Sequence, residues 1–118
     1  MGRYVVFAVD DNEDSWASAS EETKQATYDA DDRFLKLLEQ GGGRVVGGAE
    51  LSHSHNTRVL HKGSDDTPLV TDGPYAETVE QVSGFYIVEC DDLTTLTEAA
   101  ALMLPGHLRL EIRATAEH

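Results

Sequence analysis

The sequence predicts one α+β domain spanning residues 1–118, with two main helices on one face of a mostly antiparallel sheet. Three observations predict it. A β-branched, aromatic run opens the chain and a strictly alternating run closes it. Two amphipathic helical stretches lie between them, each bounded by capping and stop signals. The order strand, long helix, strands, strand, helix, strand is that of a ferredoxin-like split β-α-β arrangement.

Arg3 to Val9 reads as a buried first strand, and Asp10-Asp11-Asn12 ends it in a polar loop that carries Trp16, the only tryptophan. Ser18-Ala19-Ser20-Glu21 has capping-box spacing, with Glu22 adding a carboxylate where the helix dipole favours one. Ala26, Ala30, Phe34, Leu37 and Leu38 then recur at helical spacing, and Gly41-Gly42-Gly43 stops the helix. From Arg44 to Thr71 the pattern is that of a β-meander. Val45-Val46 passes through Gly47-Gly48 into a strand over Ala49 to His55, and Asn56-Thr57 makes a turn. Thr57 to His61 and Pro68 to Thr71 then form a hairpin around Lys62 to Asp66. One helical turn is expected over Glu77 to Val82, and Gly84 to Cys90 is a nearly continuous apolar strand. Asp91 or Asp92 caps a second helix with Leu93, Leu96, Ala100, Met103 and Leu104 on one face, ended by Pro105-Gly106. In the last strand Leu108, Leu110 and Ile112 point inward, with His107, Arg109, Glu111 and Arg113 outward.

Composition narrows the function classes. Twenty-two acids against nine Lys plus Arg give a net charge of -13, which argues against nucleic acid and against an anionic membrane surface as partners. The apolar start is too short for a signal peptide or a membrane span, and Cys90, the one cysteine, has no intramolecular disulfide partner. These features predict a cytoplasmic protein. The glycine pairs form no phosphate loop, because no Gly-Lys-Ser/Thr follows them. Cys90 reads as a small core residue rather than a nucleophile.

The most informative stretch runs from Val70 to Cys90. Asp72-Gly73-Pro74 makes a tight turn, followed by the hydroxyls of Tyr75 and Thr78 and the carboxylates of Glu77 and Glu80. It reads either as a rigid turn or as the wall of a small-molecule pocket, with Asp72 and Tyr75 as polar contacts. The stretch strongly resembles the YCII-related family, in particular its DGPF branch, with a signature of roughly Asp-Gly-Pro-Phe-x-Glu-Thr-Lys-Glu-x-Leu-Gly-Gly-Phe. Asp72, Gly73, Pro74, Glu77, Thr78, Glu80, Gly84 and Phe85 match, while Tyr75, Val79, Val82 and Ser83 replace its Phe, Lys, Leu and Gly. The resemblance continues through Asp91-Asp92-Leu93, Glu98-Ala99, Pro105 and Leu110-Glu111-Ile112-Arg113, and upstream through Gly43-Arg44-Val45-Val46.

The resemblance implies a dimeric α/β barrel fold, and a homodimer also follows from a sheet with helices on one face only. It further implies two functional possibilities. One is an enzyme built around a His and an Asp near the first helix, related to a protein that eliminates chloride from a hydroxylated aromatic ring. The other is a module associated with an extracytoplasmic-function sigma factor. Here the first helix carries no histidine, and Asp29, Asp31 and Asp32 stand where the family's helical His would fall. Asp31 is a candidate base in its place.

The five histidines offer other partners. His53-Ser54-His55, read as a strand, puts two imidazoles on one side, as a solvated strand end or, with His61 or Glu50, as a zinc or copper ligand set. His107 and His118 default to the surface. The expected site is a pocket between sheet and helices near Asp72-Gly73-Pro74-Tyr75 that binds a small organic molecule. Asp72 with His53 or His55 would be its catalytic proton-transfer pair for lyase- or isomerase-like chemistry. Gly73, Pro74, Tyr75, Thr78 and Arg113 would be ligand contacts, with no metal or other cofactor expected.

Overall fold

The computed structural model describes residues 2–73 and 80–117. In chain order the elements are β1 (Gly2–Asp10), α1 (Glu13–Ala17), α2 (Glu21–Gln40), β2 (Arg44–Glu50), β3 (Arg58–Lys62), β4 (Pro68–Asp72), β5 (Gln81–Cys90), α3 (Leu93–Ala101) and β6 (Arg109–Ala114). Two 3-10 turns, Ser54–Asn56 and Leu104–Gly106, lie between them. The main sheet has the order β2-β5-β1-β6, and each of its pairings is antiparallel. With β3 and β4 set aside, this is the ferredoxin-like order. The fold is α+β, as the sequence predicts.

Burial explains why these segments assemble. Val6 of β1 and Val88 and Cys90 of β5 face Phe34 and Leu38 of α2, and Leu96, Ala99 and Ala100 of α3 close the same core with Met103. Leu110 and Ile112 extend it along β6. Asp92 caps α3 through the Thr94 amide at 3.0 Å. Ser20, rather than Ser18, caps α2 by accepting from the Thr23 amide at 3.1 Å. Ser18 instead ends α1, a five-residue helix inside the expected polar loop, with Asn12 as its cap and Glu13 and Asp14 in its first turn.

The expected meander is two structures. Among the described residues β2, which ends at Glu50, pairs only with β5, while β3 and β4 form a separate hairpin. Gly48 explains part of this: its φ is +144, and a β-carbon there would overlap the Phe85 carbonyl oxygen, so β2 lies unusually close to β5. The hairpin projects as an arm. Its Leu60, Leu69 and Val70 are more than half exposed, and the radius of gyration is 16.4 Å. A compact chain of this length has roughly 13.5 Å. The Gly73 amide closes the arm's base on the Thr57 carbonyl at 2.6 Å. Of the helical turn expected over Glu77 to Val82, Glu77, Thr78 and Val79 lie outside the described residues, Glu80 is not helical, and Gln81 and Val82 belong to β5.

Candidate functional site

A cavity of about 610 Å³ opens where β1 runs out, between the sheet, α1 and the first half of α2. That size suits a small organic ligand. Its local construction begins with a break in register. Ala8 pairs with Gly84 but Val9 pairs with Val82, which leaves Ser83 as the extra residue of a β-bulge. The Ser83 hydroxyl turns onto the Asp10 carboxylate and donates a hydrogen bond to it.

Asp10 is the hub of the site. Besides Ser83 it accepts from His107 Nδ1 at 3.0 Å and from the Leu108 amide at 3.2 Å. One carboxyl is thus the shared acceptor of three donors. The His107 side chain is only 13% exposed and that of Asp10 24%, so the pair is set into the wall rather than displayed on the surface. An imidazole that donates Nδ1–H to a carboxylate keeps Nε2 as a lone-pair acceptor, the tautomer suited to taking a proton.

A second carboxylate pair occupies the floor. Tyr86 donates its hydroxyl to Asp31 Oδ2 at 3.0 Å, while Asp31 Oδ1 is buried without a partner. Burial is the main cause that raises the Asp31 carboxyl above its ordinary value, with the Tyr86 hydrogen bond and the His107 charge opposing it. Burial and the neighbouring Asp31 also hold the Tyr86 phenol protonated well past its usual range. A raised carboxyl binds its proton more tightly in the folded chain than in the unfolded one, so the contribution of Asp31 to stability is lost as pH rises above 3.8. Asp31→Asn is therefore expected to melt higher than the native chain at pH 7, by a few degrees for about 1 kcal/mol. The difference should vanish near pH 3. A melting series across that range checks it, and an advantage independent of pH would contradict it.

The outer wall is tied shut by α1. Glu13 accepts from the Ser54 amide at 3.0 Å and from its hydroxyl, and His53 Nε2 meets Asp14 Oδ1 at 2.8 Å. Trp16 and Tyr28 stand edge to face with ring centroids 5.9 Å apart, and the Tyr28 hydroxyl lies 3.4 Å from Glu50.

The site residues expected from sequence are distributed differently. His53 lines the cavity, but its partners are Asp14 and Glu13 rather than Asp72. Asp72 and Gly73 stand at the base of the arm, outside the cavity wall; Asp72 is 89% exposed and pairs with Arg58 at 3.5 Å. His55 and Asp72 do border one small recess there, together with Arg58. His53-Ser54-His55 is not a strand, because His53 Nδ1 accepts from the His55 amide and caps a 3-10 turn. Among the described residues no three His, Cys, Asp or Glu side chains stand together as a metal site. Arg113 is exposed on β6 opposite Val5, away from the cavity wall. Arg109 pairs with Glu80 at 2.7 Å and Glu111 at 2.9 Å. Pro74, Tyr75 and Thr78 lie outside the described residues.

The comparison with known families agrees with this architecture. The model of the YCII-related domain matches residues 3–103. The chain belongs to the YCII-related family. A relative of this YCII-related domain, an uncharacterised protein of Rhizobium meliloti (strain 1021), is 32% identical over 90 residues, which are 76% of this chain and 70% of the relative. The pair at the cavity is Asp10–His107, contributed by the end of β1 and the turn before β6, with His107 just beyond the residues that the family model matches. The long helix α2 supplies Asp31 to the floor and no imidazole.

Proposed function

We propose that the protein binds a small organic molecule in the cavity between β1, α1 and α2, and moves a proton on it with His107. The single observation that carries this reading is the His107 Nδ1–Asp10 contact of 3.0 Å in the wall of a 610 Å³ cavity. Asp10 orients the ring and stabilises the imidazolium that forms, while Nε2 accepts a proton from a C–H bond of the ligand. In an isomerisation the imidazolium returns that proton to another carbon. In an elimination the electrons of the broken C–H bond form a double bond and the leaving group departs with its own pair.

The test is hydrogen exchange. Carbon acids that bind the cavity are incubated in D2O, and deuterium uptake is followed by NMR. Uptake should fall by about 100-fold or more in His107→Gln, the range for loss of a general base. Equal uptake in both proteins would overturn the proton-transfer role.

The protein is also proposed to act as a homodimer. Val5, Phe7, Phe85 and Ile87 share the sheet face that, among the described residues, no helix covers, with Glu89 bridged to Arg3 and Arg44 at one end. Light scattering at micromolar concentration is expected to give twice the 12.9 kDa chain mass. A stable monomer would count against it. A regulatory reading, with the arm docking a sigma factor or another protein, draws support from exposed Leu60, Leu69 and Val70. Loss of such binding in Leu60→Ser, with the fold intact, would be its signature.

A further inference from the structure

The cavity has a charge character that its proposed role does not use. Five carboxylates line it, from Asp10, Asp11, Glu13, Asp31 and Glu50, and none of its described lining residues is a lysine or arginine. Asp10 and Glu13 are engaged by His107 and Ser54. Asp31 and Glu50 are met only by phenol hydroxyls in the contacts described, and a hydroxyl cancels no charge. Asp31 Oδ1 is moreover a buried acceptor without a donor. The aromatic wall is independent of these acids. Trp16 and Tyr28 meet at an interplanar angle of 89°, so their rings form two sides of a corner, and the Tyr28 hydroxyl places Glu50 beside it. Aromatic faces next to a carboxylate attract an ammonium group, and the indole already draws one cation, Lys24 Nζ, to 5.9 Å from its centroid.

We infer that the cavity selects an organic cation, an amine with an apolar or aromatic body, with the ammonium held among Trp16, Tyr28, Glu50 and Asp31. This rests on the proposed ligand-binding role of the cavity and specifies its substrate class. A carboxylate or phosphate ligand would enter against uncompensated negative charge, which costs free energy in a partly desolvated site. The apolar body would lie against Ala8, Ala49 and the aromatic rings, all parts of the same wall.

Trp16 is the only tryptophan, so its fluorescence reports on this wall directly. Three probes of matched shape separate charge from fit: 2-phenylethylammonium, 2-phenylethanol and 3-phenylpropanoate. The ammonium is expected to bind about tenfold or more tighter than the alcohol, with the carboxylate weakest. That preference should shrink in Glu50→Gln and with added salt. Tyr28→Phe, which keeps the ring and releases Glu50, gives a second variant should Glu50→Gln fail to fold. If the alcohol or the carboxylate binds as well as the ammonium, the charge inference falls while the cavity's binding role stands. If none of the three perturbs Trp16 or protects the protein against melting, both fall together.

Discussion

Asp10→Asn is expected to lower stability by about 2 kcal/mol and to abolish the tautomer control that the proposed chemistry needs. The carboxylate accepts from three donors, the Ser83 hydroxyl, His107 Nδ1 and the Leu108 amide. These come from β5, from the turn after α3 and from the chain entering β6, so one side chain pins three separate segments at the end of β1. Asparagine keeps the shape but offers one acceptor oxygen and an NH2 group. One donor must then face another donor, and the ring loses its reason to keep the proton on Nδ1. Urea unfolding measures the first effect. The 15N shifts of the His107 ring measure the second, as a move from a dominant Nδ1–H form to a mixture. A variant with native stability and an unchanged ring spectrum would remove Asp10 from the centre of the site. Asp10→Glu preserves charge and displaces it, so rescue of the tautomer without full rescue of stability would separate electrostatics from geometry.

The difference between what was legible in the sequence and what was not follows from range. The α2 stripe of Ala30, Phe34 and Leu38, the Asp92 cap and the apolar run of β5 are local patterns, and each reappears as packed structure. Together they were enough for the ferredoxin-like order. The five residues of α1 are too few for an apolar period, and the only sign of it is Asn12 followed by Glu13 and Asp14. The alternation that points Leu110 and Ile112 inward does not extend back to His107, because the Leu104–Gly106 turn precedes a strand that starts at Arg109. The sequence pattern therefore points His107 to the surface, whereas it lies in the cavity wall. Its partner Asp10 is 97 positions away, a contact that no spacing rule reaches. The motif at Asp72-Gly73 identified the family through the residues of a turn, whereas the cavity is assembled from the ends of β1, β2 and β5. His53 stands at a 3-10 cap, which gives it Asp14 and Glu13 as neighbours in place of the Asp72 that its sequence position suggests.

Phe34→Ala is expected to be the most destabilising single change, at about 3–5 kcal/mol, a large share of the total for a domain this size. The ring is fully buried between α2 and the sheet, and packs with Tyr86 at a centroid distance of 5.3 Å and a tilt of 44°. Deleting it removes the transfer free energy of an aromatic side chain and leaves a cavity that the surrounding strands close only in part. The consequence reaches the site, because Tyr86 has two ends: its ring leans on Phe34 in the core, and its hydroxyl holds Asp31 at the floor of the ligand cavity. Tyr86→Phe keeps the packing and loses only the hydrogen bond, so it should cost about 1 kcal/mol. Combined in one chain, the two changes should cost less than the sum of their separate effects, since Phe34→Ala already loosens the ring that presents the hydroxyl. Urea titration of the four proteins supplies the cycle. Strict additivity would mean that Tyr86 keeps its place without Phe34, and that core packing and the cavity floor are independent. A coupling of about 0.5 kcal/mol or more would show that the hydrophobic core of α2 and β5 sets the position of the acid at the site.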